Sequence, residues 1–429
     1  MEILLLGSGA MLHALAWKLL SEPSVGRIFC APGNAGTTLL VGPPPFSPEH
    51  AVEAAQWAFA RQADLVVVQG MPAWVEVLEG MGLPVLGVGE QAAQMLSRRE
   101  EVRRRLRDGV PWVEGRVFRD REEAERYLAS RPLPLWLRLE TPRSPEAVRV
   151  EDRLTAFREL ARLFSLDPRA DVSIEEDPPG VEVSLALLSD GERAFSLGVS
   201  RPYDRRYEGE AGPLTEGMGA YAPYGDRALE ERLLAQVGRP TVAALAGAGL
   251  LRPSFLQLRI LLGQKGPLLR GISGGMDDLH AVVTLPRWRG EISGLLQAAA
   301  RGKLPEASPS WRAEVAVALA LVVEGYPGPC PLGEPLSGLD EAETLVFHHA
   351  TRLQVESPPA SWLRPDRPVG LTHRVVTAGG RVLFVVGLGP TLAAARRQAL
   401  QEAEKVHFPH RAWRRDIAGE GGEEGCGDE

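Results

Sequence analysis

The alternation of short apolar runs, glycine turns and apolar-periodic segments at the start of the chain constrains the fold most. Residues 2–6 (Glu-Ile-Leu-Leu-Leu) form a short, mainly apolar run, Gly7-Ser-Gly9 follows, and an apolar-periodic stretch extends from Met11 to Leu20. This order predicts a strand, a tight turn and a helix. The same reading gives strands at 27–30, 64–69 and 84–87, with helices near 47–62 and 74–80. Such alternation is typical of a doubly wound α/β sheet.

Two glycine-containing loops follow strands of this predicted sheet, at the edge where open α/β sheets bind ligands. The first, Gly7-Ser-Gly9, has the start of a dinucleotide fingerprint. Leu12 stands where the third glycine would be, and the next strand ends in Ala31-Pro32 instead of an acidic residue. A dinucleotide site is therefore not expected. The second loop, Ala31–Gly36, is a second candidate ligand loop.

Length and composition limit the class of protein. A chain of 429 residues predicts roughly two to four domains around a cleft. With 44% hydrophobic residues and no apolar run near the ~20 residues of a membrane span, we expect no membrane segment. The N-terminus lacks a basic leader, so we expect a cytoplasmic protein. A net charge of −8 predicts no general attraction to nucleic acid.

The stretch from Gly212 to Tyr224 is too irregular for a regular strand or helix and is predicted to be a binding loop. Gly217 and Gly219 lie on either side of Met218, so the backbone can adopt positive φ and approach a ligand closely. The alternative is a tight connection between two core strands. Local sequence leaves both interpretations open.

These loops carry a resemblance to a known family. Thr215-x-Gly-Met-Gly-Ala-Tyr resembles the T-G-G-M-G-A-Y loop of glycinamide ribonucleotide synthetases, which are ATP-grasp ligases, and Ala31–Gly36 matches their A-P-G-N-A-G. The segment 375–389, interpreted as a hairpin with a Gly-Gly turn, resembles their carboxyl domain. The resemblance covers nearly the whole chain in order. It implies an α/β protein with an ATP-grasp fold, preceded by a doubly wound N-terminal domain and followed by a C-terminal α/β domain.

The resemblance also suggests where the domains begin and end. We expect an N-terminal domain at 1–96, a connecting helix and ATP-grasp small lobe at 97–170, and a large lobe at 171–320. A C-terminal domain at 321–417 and a disordered acidic tail at 418–429 complete the chain. An arginine-rich helix is predicted from about 92 to 107, at the junction of the first two domains.

Family membership implies a reaction and a set of site residues. ATP, phosphoribosylamine and glycine would give glycinamide ribonucleotide, ADP and phosphate in de novo purine biosynthesis, with magnesium as the metal. Nucleotide-binding positions fall on Arg98, Arg138, Glu175 and Glu182, and a metal position falls on Asp278. Substrate-binding positions fall on Gly9, His13, Pro32, Gly33, Asn34, Thr215, Gly217, Met218 and Gly219. The alternative for Glu175 and Glu182 is that they are exposed strand carboxylates.

The nucleotide and metal positions depart from the family pattern. Residues 139–148 replace a glycine-rich phosphate loop, and with two prolines and no glycine they cannot build a backbone nest. Arg98 and Arg138 stand where the family has lysines, which keeps the charge. The family's Glu and Asn metal ligands fall on Gly271 and Ser273.

Other departures lie near the substrate loops. Polar residues that would face a sugar phosphate are replaced by Met11, Leu12 and Met71, and Glu216 adds a negative charge inside the Thr215 motif. A rearranged metal site at Asp277 and His280 is one interpretation of that segment. The other is a histidine that lies at the surface or is satisfied by neighbouring protein groups.

Two functions are compatible with this pattern. The first is an active ligase in which arginines replace lysines. The second is a non-catalytic paralogue that binds a nucleotide or sugar phosphate, or that partners another purine enzyme. Each lost electrostatic contribution costs on the order of 10²-fold in rate, and this arithmetic favours the second. A small-molecule substrate or nucleotide is the expected ligand in both cases.

Overall fold

The computed structural model describes residues 1–43, 46, 49–106, 109–140, 146–167, 169–306, 309–356 and 372–419. The central part of the segment 139–148 and the tail from residue 420 lie outside these ranges. Within the described residues, no helix has the length and apolar character required to cross a bilayer.

The N-terminal unit is a four-stranded parallel sheet, as predicted. Its strands are β1 (Glu2–Gly7), β2 (Arg27–Pro32), β3 (Leu65–Val68) and β4 (Val85–Leu86), in the order β2-β1-β3-β4. Its helices are α1 (Ala10–Leu20), α2 (Ala35–Val41), α3 (Ala51–Ala60), α4 (Pro72–Gly80) and α5 (Glu90–Leu96). The chain leaves β1 for β2 on one side and returns to β3 on the other. The carboxyl ends of β1 and β3 therefore form the switch point where such sheets bind ligands.

A small antiparallel sheet follows. It has strands β5 (Gly115–Phe118), β6 (Leu135–Glu140), β7 (Ala147–Val150) and β8 (Asp171–Glu176), in the order β5-β8-β6-β7. Helices α6 (Arg99–Leu106), α7 (Arg121–Ser130) and α8 (Arg153–Leu166) accompany it. Leucines at alternate positions of β6 enter the core beneath α7 and α8. The side chains between them, including Trp136 and Arg138, face the opposite way.

The prediction of a single arginine-rich helix over 92–107 is wrong, because α5 and α6 are separate helices. α5 ends at Leu96, where the Ser97 hydroxyl donates to the Gln94 carbonyl, 2.7 Å away. A serine side chain that bonds the backbone in this way competes with continuation of the helix. α6 then begins at Arg99, whose side chain contacts Glu175.

The largest sheet contains strands from both the predicted large lobe and the predicted C-terminal domain. They are β9 (Gly180–Asp190), β10 (Ala194–Tyr207), β11 (Ala211–Ala222), β12 (Pro253–Gly263), β13 (Gly266–Gly274), β14 (Val315–Val323), β15 (Leu345–His348), β18 (Arg381–Gly389) and β19 (Arg411–Ala412). The order is β13-β12-β9-β10-β11-β14-β18-β15, and β19 pairs with β14. The boundary predicted at residue 320 falls inside β14, and the division into domains stays a prediction.

Helices cover this sheet and join it to the N-terminal unit. α9 (Arg227–Leu233) and α10 (Arg239–Gly247) are connected by a π-helical turn, Leu234–Gly238. α11 (Asp278–Thr284) packs against α1, α12 (Ser293–Ala300) follows it, and α13 (Leu392–Lys405) packs on β18 and β14. One hydrophobic core includes side chains of α1, α11 and the largest sheet.

Two further sequence-based predictions of local structure are wrong. Gly212–Tyr224 is not an irregular loop, because most of it forms β11, which pairs with β10 and β14. Register shifts on β10 accommodate the glycines and Pro213. The segment predicted as a hairpin forms β17 (Thr372–Thr377) and β18, which do not pair. β17 pairs with β16 (Thr351–Glu356), whereas β18 joins the largest sheet.

Candidate functional site

The predicted nucleotide cleft lies between the small sheet and the largest sheet. Glu175 of β8 is at its centre, with a side chain only 7% exposed. Arg99 binds it with two hydrogen bonds, from Nε to Oε1 (3.1 Å) and from Nη2 to Oε2 (3.2 Å). Arg138 adds a third, from Nε to Oε2 (3.1 Å). Burial opposes ionisation of Glu175, but Arg99 and Arg138 outweigh it and lower the pKa.

A second group of ion pairs continues from this centre along the cleft. Arg270 of β13 contacts Asp177 (Nη2 to Oδ1, 2.7 Å) and Glu182 (Nε to Oε2, 3.5 Å). Arg259 of β12 contacts Asp204 (Nη1 to Oδ2, 2.9 Å) and, at 3.8 Å, Glu182. Guanidinium and carboxylate groups thus alternate.

We call this set the cleft ion-pair network. It consists of Arg99, Arg138, Arg259, Arg270, Glu175, Asp177, Glu182 and Asp204. It contains four arginines and four carboxylates, and Arg149 and Asp277 contact its members Asp177 and Arg259. Trp136 of β6 supports the network, since the guanidinium carbons of Arg138 and Arg270 lie 4.7 and 5.9 Å from its ring centroid.

The cavity beside Glu175 on the side of α6 is small. The cavity lined by Arg99, Trp112, Ser173 and Glu175 has a volume of about 10 Å³, which is the space of a single water molecule. Gly271 lies across the cleft, and a Cβ atom at this position would be 3.3 Å from Arg99 Nη1. The Arg99 guanidinium therefore lies beside the position where the family has a metal-binding glutamate.

The four predicted nucleotide residues are not all brought together. Arg138 and Glu175 are in contact, and Glu182 joins them through Arg270. Arg98 is exposed where α6 begins, and its neighbour Arg99 enters the cleft instead. Sequence reasoning missed Arg99, Arg270 and Arg259. A local signal was present in β6, where Trp136 and Arg138 alternate with leucines and so lie on the face of the strand opposite the core.

Asp278, the one metal position that keeps its identity, is fully engaged by protein groups. Its Oδ1 accepts a hydrogen bond from the Met11 backbone N–H at the start of α1 (2.7 Å). Its Oδ2 lies 2.9 Å from Arg381 Nη2 and 3.0 Å from His349 Nδ1. Burial would raise the pKa of Asp278, but His349, Arg381 and the Met11 N–H hold it at about 2. Asp278 therefore joins α1 to β18.

The surrounding residues do not fit a magnesium ion. Magnesium requires several oxygen ligands in octahedral geometry, and positions 271 and 273 offer a glycine and a serine. No group of three or more His, Cys, Asp or Glu side chains among the described residues could hold a metal. His280 is buried, with Nδ1 2.8 Å from Ser200 Oγ and Nε2 3.1 Å from the Leu197 carbonyl oxygen. His280 is therefore a hydrogen-bonded core histidine, and the alternative that it lies at the surface is wrong.

The predicted substrate residues after β1 are tightly packed. Gly9 precedes α1, and a Cβ atom there would lie 2.7 Å from Asp278 Oδ1, so glycine allows this carboxylate to approach the helix. His13 is buried in α1, and its Nδ1 accepts the His348 backbone N–H at 2.9 Å. Burial and the neighbouring His348 lower the pKa of His13 to about 3. His13 is therefore neutral.

The loop after β2 is tied to other parts of the protein. Asn34 caps α2, since its Oδ1 accepts the Thr37 N–H at 3.0 Å. Its Nδ2 donates to the carbonyl oxygens of Ser8 (2.8 Å) and His348 (2.9 Å). Gly33 adopts a φ of +68°, and Pro32 is the last residue of β2. The Asn34 amide thus makes three protein contacts that hold together β15 and the loops after β1 and β2.

The predicted substrate residues of β11 divide between the sheet and the cleft. Met218 is completely buried, and Gly219 pairs with Leu319 of β14. Thr215 Oγ1 donates to the Asp204 carbonyl (2.8 Å) and accepts the Gly217 N–H (2.9 Å). The Thr215 end of β11 thus reaches the cleft ion-pair network, whereas its Met218 end lies in the core.

A separate cavity of about 270 Å³ lies at the carboxyl end of β3. Its wall is formed by β3, the loop that follows, α5 and the end of β13. We call it the strand-end cavity. A larger groove, of about 980 Å³, lies between α9, α10 and the β9–β10 turn, away from every predicted site residue.

Comparison with known proteins confirms the predicted fold class. Models of phosphoribosylglycinamide synthetase match three regions: the N domain at 1–95, the ATP-grasp (A) domain at 106–273 and the C domain at 316–420. The crystal structure of phosphoribosylamine–glycine ligase from Thermotoga maritima has a TM-score of 0.78 and 22% identity, covering 97% of this chain and 100% of that chain. A biotin carboxylase domain from Hydrogenobacter thermophilus, solved with MgADP, has a TM-score of 0.61 and 13% identity, covering 96% and 91%.

Relatives identified by sequence match this chain over nearly its full length. The phosphoribosylamine–glycine ligase of Caulobacter vibrioides is 32% identical, with 97% of each chain covered. The ligase of Vibrio cholerae is 29% identical with the same coverage. The chain therefore belongs to the phosphoribosylglycinamide synthetase family, the phosphoribosylamine–glycine ligases of purine biosynthesis.

Proposed function

We propose that this chain is a non-catalytic member of its family, in which its own side chains take the place that ATP and magnesium have in an ATP-grasp ligase. One observation carries the proposal. Glu175 is held by Arg99 and Arg138, and the cavity beside it on the side of α6 has a volume of only about 10 Å³. A nucleotide needs a pocket of several hundred Å³.

Charge supports the same conclusion. To bind triphosphate, Arg99 and Arg138 would have to leave Glu175, and this buried carboxylate would lose its counter-charges. Removing the partner of a buried ion pair costs about 3–5 kcal/mol. The Arg270 guanidinium is likewise engaged by Asp177 and Glu182. An entering nucleotide would thus meet an already neutralised cleft.

An active ligase is the second candidate. Its support is the 32% identity to a phosphoribosylamine–glycine ligase over 97% of both chains, together with the exposed arginine Arg98. In this case a swing of the small sheet would open the cleft, and ATP would compete with Glu175 for Arg138.

Calorimetric titration with MgATP separates the two candidates. The purified full chain is titrated, and formation of glycinamide ribonucleotide from ATP, glycine and phosphoribosylamine is assayed in parallel. The Caulobacter vibrioides ligase is the positive control. We expect no binding at millimolar ATP and no product above the blank. Saturable MgATP binding with turnover near that of the control would refute the proposal.

We further propose a cytoplasmic protein whose partner is a small molecule or nucleotide, and not nucleic acid or a membrane. The net charge of −8 supports the absence of nucleic-acid binding, because a polyanion would be repelled. A filter-binding measurement with duplex DNA at low salt tests it, and retention that weakens as salt is added would contradict it.

A further inference from the structure

The strand-end cavity has a favourable position for a ligand. It lies at the carboxyl end of β3, beside the switch point between β1 and β3, where open α/β sheets bind their ligands. It is also separate from the cleft ion-pair network, since no member of that network lines it. Its volume of about 270 Å³ is near the lower limit for small-molecule pockets. A compact ligand is therefore required.

The chemistry of the cavity wall excludes a charged ligand. None of the residues that line it is ionisable. Met71, Pro72, Val88, Leu96 and Ile272 provide apolar surface. A phosphate or carboxylate placed there would lose water without gaining a counter-charge, which is unfavourable by several kcal/mol. The polar groups are one amide, Gln69, and two hydroxyls.

The Gln69 amide makes one hydrogen bond to the protein. Its Nε2 donates to the Met276 carbonyl oxygen at 3.3 Å. Gly275, with a φ of +98°, leaves room for the amide, since a Cβ atom there would lie 2.4 Å from Gln69 Oε1. Within the described residues Oε1 accepts no hydrogen bond, and one N–H of the amide remains free. The cavity wall thus offers an amide donor and an adjacent amide acceptor.

We propose that the strand-end cavity binds an uncharged purine base or its nucleoside. A planar amide with adjacent donor and acceptor matches the N6–N7 edge of adenine, and the apolar walls match the faces of the ring. Ser273, exposed at the end of β13, provides a further hydroxyl at the rim. This site goes beyond the proposed function, because neither ATP binding nor turnover is needed for it.

Calorimetry on the full chain tests the proposal with adenine, adenosine, AMP and ribose 5-phosphate. We expect adenine or adenosine to bind, AMP to bind no more tightly than adenosine, and ribose 5-phosphate not to bind. Absence of binding by adenine and adenosine at millimolar concentration overturns the proposal. So does AMP binding ten-fold more tightly than adenosine. A positive MgATP titration would refute the non-catalytic assignment and leave this result standing.

Two variants locate the site. Gln69→Leu is expected to weaken adenosine binding about ten-fold or more, as loss of a bidentate contact requires. Gln94→Leu is the matched control, since Gln94 is exposed on α5, donates a hydrogen bond to Glu90 and does not line the cavity. This variant should bind adenosine with the affinity of the wild type. Ser273→Trp, at an exposed position, should block the cavity if Gln69→Leu does not fold. Unchanged binding in the folded cavity variants overturns the assignment.

Discussion

Arginine shows how one residue type can keep a charge and change its role. Arg138 stands where the family has a lysine, and its planar guanidinium both binds Glu175 and stacks on Trp136. A lysine ammonium could form the ion pair but could not present the same planar fork. The substitution therefore supplies a permanent partner for the cleft carboxylate.

Buried neutral histidines predict a pH dependence of stability. Burial lowers the pKa of His280 to about 4, against 6.5 in the unfolded chain. Between these values the unfolded chain binds a proton that the folded protein does not, so stability falls as pH decreases from 6.5 toward 4. At pH 5 the loss attributable to His280 is about 2 kcal/mol.

Urea denaturation at pH 7 and pH 5 checks this value. His280→Gln should reduce the difference in unfolding free energy between the two pH values by about 2 kcal/mol, whatever its absolute stability. His50→Gln, at an exposed position before α3, is the control and should keep the wild-type difference. The pKa assignment would be wrong if both variants behaved alike.

At the scale of elements, β11 shows how packing overrides local sequence. Glycines and prolines argue against a strand, yet β10 and β14 pair with this segment on both sides. Gly217 is the position that makes this possible, because it combines a φ of +105° with close contact to Leu279.

Gly217→Ala is expected to destabilise the protein by about 2–4 kcal/mol, through backbone strain and overpacking together. A Cβ atom at this position would lie 2.1 Å from Leu279 Cδ1. Gly209→Ala is the matched control, because Gly209 also has positive φ (+67°) but has open space around it. It should cost about 1 kcal/mol. Equal losses in chemical denaturation would contradict the steric contribution.

How much the sequence predicts depends on how local each signal is. The parallel N-terminal sheet can be predicted from its apolar runs and glycine turns. The alternation of apolar and polar residues along β6 likewise indicates the two faces of that strand. The break between α5 and α6 depends on one serine contact. Strand partners such as those of β17 and β18 depend on distant segments. The same is true of the site, since Arg99 meets Glu175 only through the turn after α5.

At the scale of the whole molecule, Asp278 connects three distant parts of the chain. It accepts from the start of α1 and contacts Arg381 of β18 and His349. The shared hydrophobic core of α1, α11 and the largest sheet lies beside this junction. Sequence resemblance marked Asp278 as a metal position, and its role as a connection became visible only with its partners in place.

Asp278→Ala should lower the unfolding free energy by about 3–5 kcal/mol, because Arg381 would be left buried without this partner. Hydrogen exchange should show loss of protection in both α1 and β18. Asp190→Ala provides the comparison. Asp190 is also buried and accepts N–H groups of Glu192, Arg193 and Leu304. Loss of protection confined to the β9–β10 turn and the segment after α12 that contains Leu304 is expected. A local effect of Asp278→Ala would show that Asp278 does not couple α1 and β18.

The closeness of Arg99 to Gly271 also affects the order in which substitutions can be made. A glutamate introduced at position 271 would meet the Arg99 guanidinium and compete with Glu175 for it. The same glutamate would be accommodated differently in a chain that already lacked Arg99. A glutamate can therefore be restored at position 271 only after residue 99 has changed. The two positions are epistatic, and a ligase site built on this scaffold requires both to change together.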